Sequence, residues 1–201
     1  MNKGIEIQYN LLNLPSQVKF SDGSTITYTY GADGVKLRTV HKIGGVTTTT
    51  DYCDNVIYEN GSRDKLLTEQ GYFSIADKKF HYYIQDHQGN NRVVASQDGM
   101  IEEVNHYYPF GGIFASNSSV QPFKYNGKEL DTKNGLNLYD YGARQYDPVL
   151  GRWHTMDLMT EKYYKISPYT YCLNNPILLV DPNGMWPTWG GISRGLSNVF
   201  K

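Results

Sequence analysis

The stretches YNLLNLPSQVKFSDG (Tyr9 to Gly23) and YGADGVKLRTVHKIG (Tyr30 to Gly44) share one spacing. Each opens on Tyr, places Asn or Gly four residues later (Asn13, Gly34) and has Gly ten beyond that (Gly23, Gly44). A third stretch, YIQDHQGNNRVVASQDG, repeats the second interval with Gly89 and Gly99. Asn and Gly accept positive φ at little cost, so they mark hairpin corners. Ten residues hold a strand of about five or six plus its share of two turns. Between the corners β-formers alternate, as in STITYTY from Ser24 to Tyr30. The spacing predicts a mainly β fold, a meandering antiparallel strip of hairpin repeats. Asp22-Gly23, Asp33-Gly34 and Asp98-Gly99 are its strongest turn signals.

Composition agrees with that reading and removes several function classes. The 201 residues are 39% hydrophobic, enough to bury a core. Eighteen Tyr and 20 Gly supply strand formers and corners. The formal net charge of −1 offers no basic field to nucleic acid or to an anionic membrane. The apolar run from Ile177 to Val180 is far too short to span a bilayer, and MNKGIEIQYN lacks the apolar segment of a signal peptide. Cys53 and Cys172 read as two isolated buried thiols, because spacing alone argues no disulfide between them. The five histidines share no metal-ligand spacing, so neither metal nor cofactor is expected. Motifs for nucleotide hydrolysis, α/β-hydrolase chemistry and zincin chemistry are lacking from the sequence.

The second half is organised differently. Asn134-Gly135 suits a type I′ turn between Glu129-Leu130-Asp131 and a strand running from Leu136 to Asp147-Pro148, where Pro ends the ladder. Ser167-Pro168 resembles an N-cap followed by a first-turn Pro, which predicts one short helix near 167–175, stopped by Asn175-Pro176. Ile177 to Val180 then reads as a buried strand delivering Asp181 to the corner Asp181-Pro182-Asn183-Gly184. Within YDYGARQYDPVLGRW (Tyr139 to Trp153), the tyrosines are packing residues and the glycines shape turns. Arg144 is a cation whose plainest role is an ion pair with a nearby Asp such as Asp147.

The Tyr-x-x-x-Asn/Gly units resemble the YD repeats of Rhs proteins. The run YYIQDHQGNNRVV, HYYPFG, YNGKELD, GLNLYDYGARQYDPVLGRW, SPYTYCLNNP and VDPNG resembles the Rhs repeat-associated core domain from Tyr82 to about Gly184. That resemblance implies degenerate repeats over 1–81, the core domain over 82–185 and a short variable tail over 186–201. It implies the C-terminal end of a β-shell that encloses a C-terminal toxin. The core domains cut their own chain after the Asp-Pro-x-Gly-Leu motif, and Met185 stands here at the Leu position, so Met185-Trp186 is the implied scissile bond. The implied catalytic set is Arg144, Asp157 and Asp181, an aspartyl protease acting on its own chain. Two carboxylates sharing one proton can hydrolyse a peptide, the ionised one activating water and the protonated one donating.

The implied partners are the chain's own C-terminal segment or a toxin, further Rhs repeats and secretion-system components, with an exported or cell-surface bacterial location. Only 16 residues follow Met185, too few for an enzymatic toxin domain, so the chain reads as the C-terminal piece of a longer protein or as an orphan copy. The alternative is a non-enzymatic β-rich scaffold or surface-binding module, or a remnant without independent activity.

Overall fold

The structure, a computed structural model, describes residues 4–189. Of the expected tail, residues 190–201, including Arg194, lie outside the described residues. The first nine strands are β1 (Ile5–Tyr9), β2 (Pro15–Phe20), β3 (Thr25–Tyr30), β4 (Lys36–Ile43), β5 (Val46–Cys53), β6 (Val56–Glu59), β7 (Ser62–Thr68), β8 (Gly71–Ser74) and β9 (Lys79–Gln85). Each pairs antiparallel with the next. Strands β10 (Asn91–Ser96), β11 (Ile101–Tyr107) and β12 (Ile113–Ser116) do the same. Strand order is chain order throughout this 12-stranded open sheet, so the meandering antiparallel strip is the fold that forms. A four-stranded sheet follows, made of β13 (Glu129–Asp131), β14 (Leu138–Asp140), β15 (Gln145–Asp147) and β16 (Arg152–Trp153). The last pair is β17 (Leu179–Val180) with β18 (Thr188–Trp189).

One turn explains the repeat spacing. At Asn10–Leu14, the Asn13 N–H donates to Asn10 O (3.0 Å) and the Asn10 N–H to Leu14 O (2.9 Å). The same pair of bonds closes the turns from Phe20, Gly31, Asp86 and Tyr108, each with a positive φ at the fourth residue, from Asn13 (59°) to Gly23 (85°). This is a type I turn followed by a left-handed residue, the three-residue hairpin connection that suits twisted strands. The Asp-Gly signals at 22 and 33 are therefore members of this class. Two-residue turns with both central φ positive occur instead at Gly44-Gly45 and Asn60-Gly61.

The contacts divide the chain into two compact units. One comprises 1–82, 96–98 and 132–136; the other comprises 83–95, 99–131 and 137–201. In the first unit, alternation along β2 and β3 buries Val18, Phe20, Ile26 and Tyr28. Tyr72 stacks on His81 with ring centres 4.6 Å apart. Cys53 is exposed at the end of β5, so only one of the two expected buried thiols is buried, and both are free.

The second unit has an aromatic core of Tyr125, Tyr139, Tyr141, Tyr146, Tyr171 and Trp153, with Leu130 and Cys172. Burying five phenols requires a partner for each hydroxyl. Tyr125, Tyr139 and Tyr146 donate to the carbonyls of Pro109, Gly111 and Phe110 (2.8, 3.1 and 2.8 Å), while Tyr141 and Tyr171 both donate to Asn126 Oδ1 (2.7 Å). Burial raises the pKa of all five above the usual phenol value, so they remain donors.

Three local expectations are corrected. The strand expected from Leu136 to Asp147 is a hairpin: β14 and β15 pair through Tyr139 and Tyr146 around Gly142, whose φ is +92°. Asn134-Gly135 does form the expected primed turn, with both φ positive and the Leu136 N–H on Lys133 O (3.0 Å), but its strands pair only from Asp131 and Leu138 outward. The helix expected near 167–175 is a single turn at Cys172–Asn174, where three positive φ values (44°, 53° and 60°) forbid a right-handed helix. The strand expected over Ile177 to Val180 shrinks to Leu179–Val180, leaving Ile177 and Leu178 exposed.

Gly71 shows how tightly the first unit is drawn. A Cβ there would lie 1.9 Å from His81 O, whereas one at Gly44 would meet open space. Gly71→Ala is expected to lower stability by about 3 kcal/mol or more through overpacking. Gly44→Ala should cost about 1 kcal/mol, for its φ of +57° alone. Paired urea melts of the two variants check this.

Candidate active site

The β14–β15 hairpin places Arg144 at its corner, where the Tyr141 N–H donates to Arg144 O (3.1 Å) and Asp140 Oδ1 accepts the Gly142 N–H (2.8 Å). Arg144 is thus a turn residue leading into β15 rather than the middle of a strand. Its side chain is 3% exposed. The guanidinium lies over the Trp153 ring with Cζ 4.2 Å from its centre, a stacking that its flat, weakly hydrated shape favours.

The three residues expected to act together are together. Arg144 Nη2 lies 2.8 Å from Asp157 Oδ2 and 3.5 Å from Asp181 Oδ2. Nε and Nη1 donate to the carbonyls of Gly184 (2.5 Å) and Pro168 (3.2 Å). Asp157 is fixed after β16 by its own N–H on Pro168 O (3.2 Å) and by Oδ1, which accepts the Met159 N–H (2.8 Å). The plain alternative of an Arg144–Asp147 pair is replaced by these contacts. Asp147 caps its own turn by accepting the Val149 and Leu150 N–H groups and lies 3.7 Å from His154.

Asp181 follows β17 and is 1% exposed. Its Oδ1 accepts three backbone N–H groups, from Asn183 (3.3 Å), Gly184 (2.8 Å) and Met185 (3.1 Å). The corner expected at 181–184 is therefore built around its own carboxylate. Gly184 has φ +78°, and a Cβ there would lie 3.0 Å from Arg144 N, so Gly is what lets this loop meet the Arg144 backbone. Val180 pairs with Thr188 at the base of the loop, and the Met185-Trp186 bond lies inside it. Trp186 and Leu173 line a cleft with Arg144, Asp157 and Asp181.

Burial dominates the electrostatics of Asp181 and Arg144. Burial raises the Asp181 pKa above the usual value, and Arg144 with the three N–H donors offsets this only in part. Burial likewise lowers the Arg144 pKa, opposed by Asp157 and then Asp181. Cys172, a buried residue of the cleft wall, is pushed up to about 12, chiefly by burial. Sequence reasoning did not single out Trp153, which carries the guanidinium, or Lys128, whose Nζ lies 2.5 Å from Pro182 O. The Gly-Arg-Trp triplet was the available signal for the first.

Two outcomes follow for this site. Arg144→Met leaves buried Asp181 without its cation and should cost about 3–5 kcal/mol at neutral pH. An acid whose folded pKa lies above its unfolded value binds more protons folded than unfolded, so its contribution to stability falls as pH rises through the folded value. The deficit of Arg144→Met should accordingly shrink when thermal melts are run at pH 4. In thiol labelling, Cys53 should react in the native protein and Cys172 only after denaturation, counted by mass shift.

The Teneurin YD-shell family model matches residues 55–177, more than half of the chain. "Salivary gland surface protein 1" of Aedes aegypti is 38% identical over 112 residues, covering 54% of this chain and 3% of that protein. "Toxin subunit YenC2" of Yersinia entomophaga is 36% identical over 96 residues, 45% of this chain and 10% of that protein. Among solved structures, the TcdB2-TccC3-TEV crystal structure superposes with a TM-score of 0.77 at 21% identity, over 90% of this chain and 10% of that one. The Photorhabdus luminescens Tc holotoxin pore gives 0.75 at 22% identity, over 94% and 10%. At those identities the structures speak for the fold, and this chain spans a small part of each relative's length. The repeated turn, the open antiparallel sheet and the family match agree: the chain belongs to the Teneurin YD-shell family.

Proposed function

We propose that this chain is the C-terminal core segment of a YD-shell that encloses a C-terminal cargo, and that it cuts its own backbone between Met185 and Trp186. Within it, residues 1–81 serve as degenerate repeats, 82–185 as the core domain and 186–201 as a short variable C-terminal tail. The observation that carries the reading is that Arg144, Asp157 and Asp181 meet in one cleft beside that bond. An enclosed toxin and an exported or surface location belong to the same proposal, supported by relatives named as toxin subunits.

The chemistry divides between the carboxylates. Arg144 meets Asp157 at 2.8 Å, and this charge-assisted pairing suits Asp157 to the base role. Burial of Asp181 favours its protonated form, suited to the acid role. Asp157 takes a proton from water as the water oxygen bonds to the Met185 carbonyl carbon. Collapse of the tetrahedral centre breaks the bond to Trp186 N, which receives the proton from Asp181. One water is consumed, and a carboxyl group at Met185 and an amine at Trp186 are formed. Arg144, held over the Trp153 ring, supplies the fixed positive charge beside both carboxylates while the proton moves.

The intact mass of purified parent beside Asp181→Asn tests this reading. The parent should lose the mass of Trp186 to Lys201 under denaturing conditions, and Asp181→Asn should retain it. A folded parent of full mass sinks the cleavage reading.

A further inference from the structure

The stretch YNGKELD gives Tyr125 and Asn126 to the aromatic core, but Lys128 has no place in that core or in the guanidinium cluster. Its Nζ lies 2.5 Å from Pro182 O and 5.3 Å from the centre of the Tyr141 ring. The next two carbonyls of the same loop also have donors. The Ala143 N–H reaches Asn183 O at 3.1 Å, and Arg144 Nε reaches Gly184 O at 2.5 Å. Three successive carbonyls before Met185 are gripped in this way, while Asp181 Oδ1 takes the N–H groups of residues 183, 184 and 185. The pairing of Val180 with Thr188 closes the loop at its base.

We propose that Lys128 is a positioning residue for cleavage of this loop, an inference that rests on the self-cleavage reading above. An ammonium donating to a carbonyl is a charge-assisted bond, and its alkyl stem can lie along the Tyr141 ring while the charge stays near water. The bond fixes Pro182, three residues before Met185, and so limits how far the scissile carbonyl can drift from Asp157 and Asp181. Rates of this kind of reaction depend steeply on such placement, with about 100-fold lost for about 1 Å. Lys128 is also the grip that one side-chain change removes without touching the cluster, since Ala143 acts through its backbone and Arg144 pairs with both carboxylates.

The test uses the full chain as parent, Lys128→Gln and Lys128→Arg. It follows the appearance of the cut mass with time and, separately, the hydrogen exchange of the 183–185 amides. Cleavage of Lys128→Gln should be about 10- to 100-fold slower, with Lys128→Arg restored to near the parent rate. The loop amides of Lys128→Gln should exchange faster at an unchanged melting temperature. Equal cleavage rates in parent and Lys128→Gln overturn the inference while leaving self-cleavage intact. If the parent stays uncut, the cleavage reading fails and takes the catalytic part of this one with it. The exchange data then decide the structural part: equal exchange refutes the grip, and faster exchange in Lys128→Gln upholds it.

Discussion

The buried Arg144 charge is the constraint around which the second unit is organised. A guanidinium 3% exposed loses its hydration, and every face of it is matched here: two carboxylates, two carbonyls and the Trp153 ring. Those partners reach the β14–β15 hairpin from β16 and the residues after it, the 166–170 turn and the loop after β17. Removing the cation would leave Asp181 charged in an apolar surround or force it to keep a proton. The same interaction therefore holds four segments together and brings two carboxylates to one cation.

The aromatic core makes this placement possible. Tyr141 flanks Gly142 at the hairpin corner, and its hydroxyl shares Asn126 Oδ1 with that of Tyr171, just before the left-handed turn at Cys172–Asn174. Three positive φ values on residues other than Gly cost roughly 1–2 kcal/mol each. The turn is held by Asn174 and Asn175 donating to Tyr171 O and Cys172 O. Backbone strain of this kind persists where surrounding packing over-determines it, and here it lines the cleft.

The hairpin strip rests on a simpler rule. A left-handed residue at one point of each turn lets a type I bend join two twisted strands, and Asn or Gly supplies it. Asn10, Asp22, Asp33 and Asp86 reinforce the bend by accepting N–H groups two residues on. Short-range chemistry of this sort is written in local residue types. The ten-residue spacing from Asn13 to Gly23, Gly34 to Gly44 and Gly89 to Gly99 is accordingly legible in the sequence itself.

Sequence alone determined the β class, the meander, the corners and the family resemblance, and it is that resemblance that groups Arg144, Asp157 and Asp181. The tertiary structure decided what depends on contacts between distant residues. It set Arg144 against Asp157 and Asp181 instead of Asp147, broke the expected strand at Gly142, and replaced the helix near 167–175 by a left-handed turn. It also brought Lys128 to Pro182, across 54 positions of sequence. Local φ preferences and alternation act within a few residues, so the chain can display them in its spelling. Partner choice for a buried charge is settled by desolvation and packing across many segments at once, which no local pattern encodes.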